Sequence, residues 1–193
     1  MKRIMVTGAA LLAASLTLHA QQGYYVAPGW GLGSWQAVGA TGTPDESSGS
    51  KILLQDNGWA EIRPEIASTS VKLRYNIPPV DGLKGVPNES YFGYEMRVQG
   101  RDNGPAARVV ITIKALKWGG DGVVRILGQM DSDRFAPGTD IFWGGGTKLR
   151  DEGGIMMHFR PYHNVYWAEV QLIKTAPEGR PGIQAIGIVI DEP

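Results

Sequence analysis

Trp167, Glu169 and Gln171 occupy alternate positions of an apolar run. An extended strand there puts all three on one face and Tyr166, Ala168, Val170 and Leu172 on the other. Glu95, Arg97 and Gln99 share a face in the same way, opposite Phe92, Tyr94, Met96 and Val98. Placed in one sheet, the two triads would combine an aromatic platform, two carboxylates, a guanidinium and two amides. A tryptophan face stacks on the C–H face of a sugar ring, while carboxylates, guanidinium forks and amides hydrogen-bond to its hydroxyls. An ordinary solvated sheet face also carries alternating polar residues. The chain has six tryptophans. Of these, Trp30, Trp35, Trp59, Trp118 and Trp143 sit beside glycine or at predicted strand ends, where a tryptophan either presents a face or plugs the end of the domain. Trp118 and Trp143 join the two triads as candidate ligand-binding residues.

Other chemistries find less support. Glycoside cleavage uses two carboxyl groups about 5–10 Å apart, and Glu95 with Glu169 is the pair the sequence nominates. Asp131, Asp133 and Asp140 could offer oxygen ligands to calcium, but their spacing does not match an EF-hand loop. Met156, Met157 and His158, with His163 nearby, include soft ligands, yet alternation sends Met157 to the opposite face from Met156 and His158. A core methionine and surface histidines account for them. No Gly-x-Ser-x-Gly elbow is present. Gly144-Gly145-Gly146-Thr147-Lys148 lacks the glycine spacing of a phosphate loop and reads as a plain loop. The expectation is no catalytic residue, no bound metal and no cofactor.

The elements that must position these residues are strands. Residues 52–55 and 59–63 flank Asp56-Asn57-Gly58 and read as a hairpin, because Asn-Gly suits a tight turn with positive φ. Val71, Leu73, Tyr75 and Ile77 alternate with Lys72, Arg74 and Asn76, which predicts a half-buried strand that Pro78-Pro79 ends. Asp102-Asn103-Gly104 marks a second turn. Residues 107–116 are β-branched on both faces and predict a central, fully covered strand. Residues 131–154 read as loop, with a short strand at 140–143. Strands at 35–38, 123–127, 155–159, 165–174 and 183–190 complete a set of about ten, and no apolar run keeps a helical period. An all-β, two-sheet antiparallel sandwich, most simply a jelly roll, follows, with a closed barrel as the alternative.

Composition sets the compartment. Lys2 and Arg3 precede an apolar, uncharged stretch over residues 4–18, and Ala20 is a small residue at a plausible cut. This is the order of a secretory signal peptide at 1–20, followed by a Trp/Gly-rich lead-in at 21–50 and the sandwich at 51–193, the last two forming one domain. Removing the signal leaves 17 basic against 19 acidic residues, a net charge of −2. Such a balance gives no basic stripe for nucleic acid and no polybasic membrane patch. No transmembrane span is expected after signal cleavage. Cysteine is absent, which excludes disulfide scaffolds and thiolate chemistry. The destination expected is the periplasm, alternatively the extracellular space.

The closing pattern, Val165-Tyr166-Trp167-Ala168-Glu169-Val170-Gln171-Leu172, a Gly/Pro loop, then Ile183-Gln184-Ala185-Ile186-Gly187-Ile188-Val189-Ile190, resembles the last strands of galactose-binding-like jelly-roll domains, a group that includes several carbohydrate-binding modules. The resemblance implies a jelly roll that holds sugar on a sheet face or at its loop end. Three readings follow: a secreted, non-enzymatic sandwich holding a carbohydrate-like ligand on an aromatic and polar sheet face; a cell-envelope domain docking a protein partner through its tryptophans; and a polysaccharide-active enzyme using Glu95 and Glu169.

Overall fold

The computed structural model describes residues 35–78, 93–134, 141–150, 159 and 163–191; for residues 141–146, 93, 190 and 191 only the backbone is described. The signal segment, Trp30, Asp140, Met156, Met157 and His158 lie outside the described residues. Eleven strands run in chain order: β1 Trp35–Val38, β2 Thr43–Pro44, β3 Ile52–Leu54, β4 Ala60–Ile62, β5 Thr69–Ile77, β6 Gly93–Arg101, β7 Ala107–Lys117, β8 Val124–Asp131, β9 Ile141–Lys148, β10 Asn164–Lys174 and β11 Gly182–Asp191. Among the described residues the only helical pieces are short 3₁₀ turns, and no helix is long and apolar enough to cross a membrane.

The strands form two antiparallel sheets. The first has the order β3-β4-β11-β6-β9, with β1 pairing β11 beyond β4; the second has the order β2-β5-β10-β7-β8. The fold is therefore the expected all-β jelly-roll sandwich. Strict two-residue alternation builds its core. Val71, Leu73, Val109, Ile111, Ile113, Val170 and Leu172 of the second sheet are fully buried against Met96, Ile183, Ile186 and Ile188 of the first. Phe159 packs edge-on against Tyr94 and tilted against Tyr166, with ring centroids 4.8 and 4.7 Å apart. Such contacts add about 0.5–1.5 kcal/mol beyond the area they bury.

Several local expectations hold for their stated reasons. The β3–β4 hairpin turns through Gly58 at φ +91°, and β5 shows the predicted alternation. The Asp102-Asn103-Gly104 turn does more than reverse the chain. The Asp102 carboxylate accepts from the Gly104 N–H at 3.0 Å and from the Ser132 hydroxyl, which itself accepts from Val109 N–H at 2.8 Å. Asn103 donates to the Glu178 carbonyl at 2.7 Å and accepts from Arg180 N–H at 2.6 Å. One turn thus ties together the β6–β7, β8–β9 and β10–β11 connections.

Two expectations are corrected. Strand β7 is not covered on both faces: Arg108 is exposed and Val110, Lys114 and Leu116 are half-buried. Its β-branched outer residues are sheet formers on a solvent side, because β-branching favours the pleated backbone whichever face it occupies. The Gly144-Gly145-Gly146-Thr147-Lys148 run is not a loop but part of β9, longer than the predicted 140–143 strand. Met96 pairs Thr147 while Val98 pairs Gly144, so β9 carries one extra residue at this point. A glycine run accommodates such a bulge without side-chain cost.

Tyr75, buried between the sheets, donates its hydroxyl to the Gly39 carbonyl at 2.7 Å. Burial raises its pKa above the ordinary tyrosine value, and burial pushes Tyr94 up to about 12. Because both folded-state values lie above the unfolded value of about 10, their contribution is complete below that pH and is lost as pH rises through the folded values. Denaturant melts across pH 8–12 are expected to show constant stability to about pH 10 and a steady fall above it. Tyr75→Phe should weaken that fall while costing about 1 kcal/mol at neutral pH through the orphaned Gly39 carbonyl; an unchanged alkaline limb in Tyr75→Phe would count against this account.

Candidate functional site

The two polar triads lie in different sheets. Glu95, Arg97 and Gln99 project from β6 on the outside of the first sheet, and Trp167, Glu169 and Gln171 from β10 on the outside of the second. The combined face envisaged from sequence does not form. Stacked sheets are about 10 Å apart before side chains are added on each outer side. Glu95 and Glu169 therefore cannot flank one glycosidic bond.

On the first sheet, Gly187 and Ala185 of the central strand β11 lie between Gln36 and Val38 of β1 on one side and Arg97 and Gln99 of β6 on the other. Small residues between longer ones make a shallow trough. Arg97 turns along its own strand to Glu95, Nε to Oε1 3.4 Å. The Trp143 backbone pairs with Gln99; its side chain lies outside what is described. Farther along this face, the Arg101 guanidinium sits 4.6 Å from the centroid of the Trp59 ring and pairs with Glu61 at 2.5 Å. Trp59 and Trp35 are 6% and 5% exposed, so both are core residues with no stacking face to offer.

The outside of the second sheet is more fully furnished. Four strands align Asn76, Trp167, Lys114 and Ile126 in one row, and Arg74, Glu169, Thr112 and Gln129 in the next. Trp167 is half-buried between Asn76 and Lys114, on a strand whose opposite side is core. Its indole stands on the sheet because Ala168 and Tyr166 hold the inward positions; a slip of one residue would reverse every side chain. Glu169 takes Lys114 at 2.8 Å and Lys72 at 3.8 Å. Gln171 donates to the Ser70 hydroxyl at 2.8 Å. Trp118, 65% exposed, continues the ladder one pair beyond β7, its N–H donating to the His163 carbonyl at 2.7 Å. Alternation puts it on the same face as Leu116 and Lys114. Val124, Ile126 and Val165 are exposed around it, Ile126 at 61%.

Of the residues nominated from sequence, this face therefore gathers Trp167, Glu169, Gln171 and Trp118, and separates them from Glu95, Arg97, Gln99 and the Trp143 position. Arg74, Asn76 and Lys114 were missed as site residues. Their strands showed the alternation, but only the register reveals that they flank Trp167. Two of the three calcium candidates are otherwise engaged: Arg108 binds Asp131 through Nε and Nη2, at 3.0 and 2.5 Å, and reaches Asp133 at 3.1 Å. The Arg108 hydrogen bond holds the Asp131 carboxyl below the usual range. Among the described residues, no three His, Asp or Glu side chains are grouped to hold a metal.

No family model matches the chain, and no curated protein is significantly similar to it. Solved structures similar to it include a xylan-binding module, CBM15 (13% identity, TM-score 0.45, 82% of this chain and 97% of that one). Others are the C-terminal CBM6 of LamC, a marine laminarinase from Zobellia galactanivorans (10%, 0.40, 81% and 98%) and TmCBM61 in complex with β-1,4-galactotriose (12%, 0.36, 83% and 88%). All three are carbohydrate-binding modules, the kind of domain the closing strands resemble in sequence.

Because Glu95 and Glu169 stand on opposite outer faces, their substitutions should be independent. Glu95→Gln, Glu169→Gln and the double variant, compared by urea unfolding, are expected to add within about 0.5 kcal/mol. A coupling well above that would place the two carboxylates in one network, contrary to the topology.

Proposed function

We propose that this chain is an exported, non-enzymatic β-sandwich that holds a carbohydrate on the outer face of the second sheet. The observation that carries the reading is the row Asn76–Trp167–Lys114, with Arg74 and Glu169 in the adjoining row. An indole is held on a rigid strand between an amide and an ammonium, and polar groups continue on both sides. Stacking on Trp167 supplies area with defined geometry, and the surrounding donors and acceptors fix the orientation of the hydroxyls. Trp118 lies one strand over and four residues along, about 14 Å away by strand geometry. A single ring does not cover both indoles, so the face fits an oligosaccharide lying along it. The opposed placement of Glu95 and Glu169 supports binding without cleavage. Export rests on the Lys2–Arg3 start and the uncharged stretch at 4–18, and the periplasm or the extracellular space would be the site of action.

A second reading has its own observation. Ile126, Val124 and Val165 are exposed beside Trp118, and apolar residues around a tryptophan suit a protein partner of the cell envelope.

A glycan-array screen with tryptophan emission on each hit separates the two. The expected result is selective binding with an emission change. Trp167→Ala should lower affinity at least tenfold, and Trp118→Ala by a smaller factor, both with unchanged melting. A blank array from folded protein would transfer the face to the protein-partner reading.

A further inference from the structure

We infer that the glycan held around Trp167 is anionic, bearing carboxylate or sulfate groups, and that Arg74 receives the anion. The inference rests on the carbohydrate reading of this face and specifies its ligand. Arg74 stands directly across from Glu169 in the β5–β10 ladder, the position where opposite charges ordinarily pair. Glu169 instead turns to Lys114 at 2.8 Å and to Lys72 at 3.8 Å. Arg74 is left exposed and makes no hydrogen bond or ion pair among the described residues.

The other acids of the face are occupied. Asp131 is held by Arg108 at the far corner. Asp45, at the β2 edge, is held by Ser48, accepts from the Ser47 hydroxyl at 3.0 Å and feels the charge of Lys72. Around Trp167 three cations, Lys72, Arg74 and Lys114, thus meet Glu169 and, at the β2 edge, the Asp45 carboxylate beside Lys72, a local charge of +1 that rests on Arg74, in a chain with 19 basic and 19 acidic residues.

Geometry matches the charge. Arg74 is the diagonal neighbour of Trp167, about 7–8 Å away at the backbone, and Asn76, also exposed and without a partner among the described residues, lies between them along the rim. A ring stacked on Trp167 brings an acid group on its edge within reach of the guanidinium. The planar fork of arginine matches a carboxylate or sulfate with two parallel hydrogen bonds and is less strongly hydrated than an ammonium. A neutral sugar would leave the Arg74 charge uncompensated.

Calorimetric titration of the purified chain tests this with polygalacturonate, its carboxyl-reduced neutral counterpart and dextran sulfate. One of the two acidic polymers should bind at least tenfold more tightly than the neutral one, and which of them does so tells carboxylate from sulfate. Arg74→Gln should remove about tenfold of that affinity with an unchanged melting temperature. Arg74→Lys should recover only part, and Trp167→Ala should also weaken binding. Equal, Trp167-dependent affinity for the neutral polymer, indifferent to Arg74→Gln, would overturn the inference and leave the carbohydrate reading standing. Acidic polymers held regardless of Arg74 and Trp167 would overturn it too, since the binding would lie elsewhere. No binding to any of the three, joined to a blank glycan array, would remove both.

Discussion

Strand β10 lies between β5 and β7, paired residue for residue along nearly its whole length. On its inner side Tyr166, Ala168, Val170 and Leu172 are buried, and Lys174 ends the series by donating to the Pro64 carbonyl at 3.3 Å. On its outer side stand Trp167, Glu169 and Gln171. Core and site are thus two faces of one strand, fixed by one register. Moving that register by one residue would bury a carboxylate and an indole and expose four core side chains. Burying an unpaired carboxylate costs several kcal/mol, a large share of the roughly 5–15 kcal/mol that holds an ordinary domain folded. The site inherits its rigidity from the packing behind it.

The sandwich architecture then distributes chemistry to two surfaces that cannot cooperate directly. Arg97 and Glu95 satisfy each other over a trough floored by Ala185 and Gly187, while on the opposite surface the ion pairs of Glu169 leave one guanidinium over. The asymmetry has a geometric origin. Lysines on both neighbouring strands reach the same carboxylate oxygen, Oε1, and Arg74, in register with Glu169, stays unpaired.

Alternation is legible from sequence wherever it is strict: β5, β6 from Tyr94 onward and β10 show the predicted inward residues, and Asn57-Gly58 makes its turn. Alternation says which residues share a strand face. It does not say which strands share a sheet, because jelly-roll neighbours are distant in sequence and are chosen by the packing of the whole. That is why Glu95 and Glu169 could be imagined side by side, and why Arg74 passed as the polar half of an amphipathic strand. The covering of β7 was misread for a related reason, since Val110 is β-branched yet outward. The glycines of β9 were misread because local sequence favours a turn, whereas the pairing with β6 draws them into the ladder.

The turn built on Asp102 and Asn103 bonds to two other connections, whereas the hairpin between β7 and β8 turns through Gly119 and Gly122 with every residue from 117 to 124 exposed. The two ends of the molecule therefore differ in how they accept added chain. Length inserted at the first would undo a knot of bonds shared among distant segments. Length inserted near Gly120 disturbs little backbone that anything else leans on. That tip is a natural place to graft a tag, a linker or a second module, and because Trp118 stands at its base, whatever is grafted there would hang beside the ligand face.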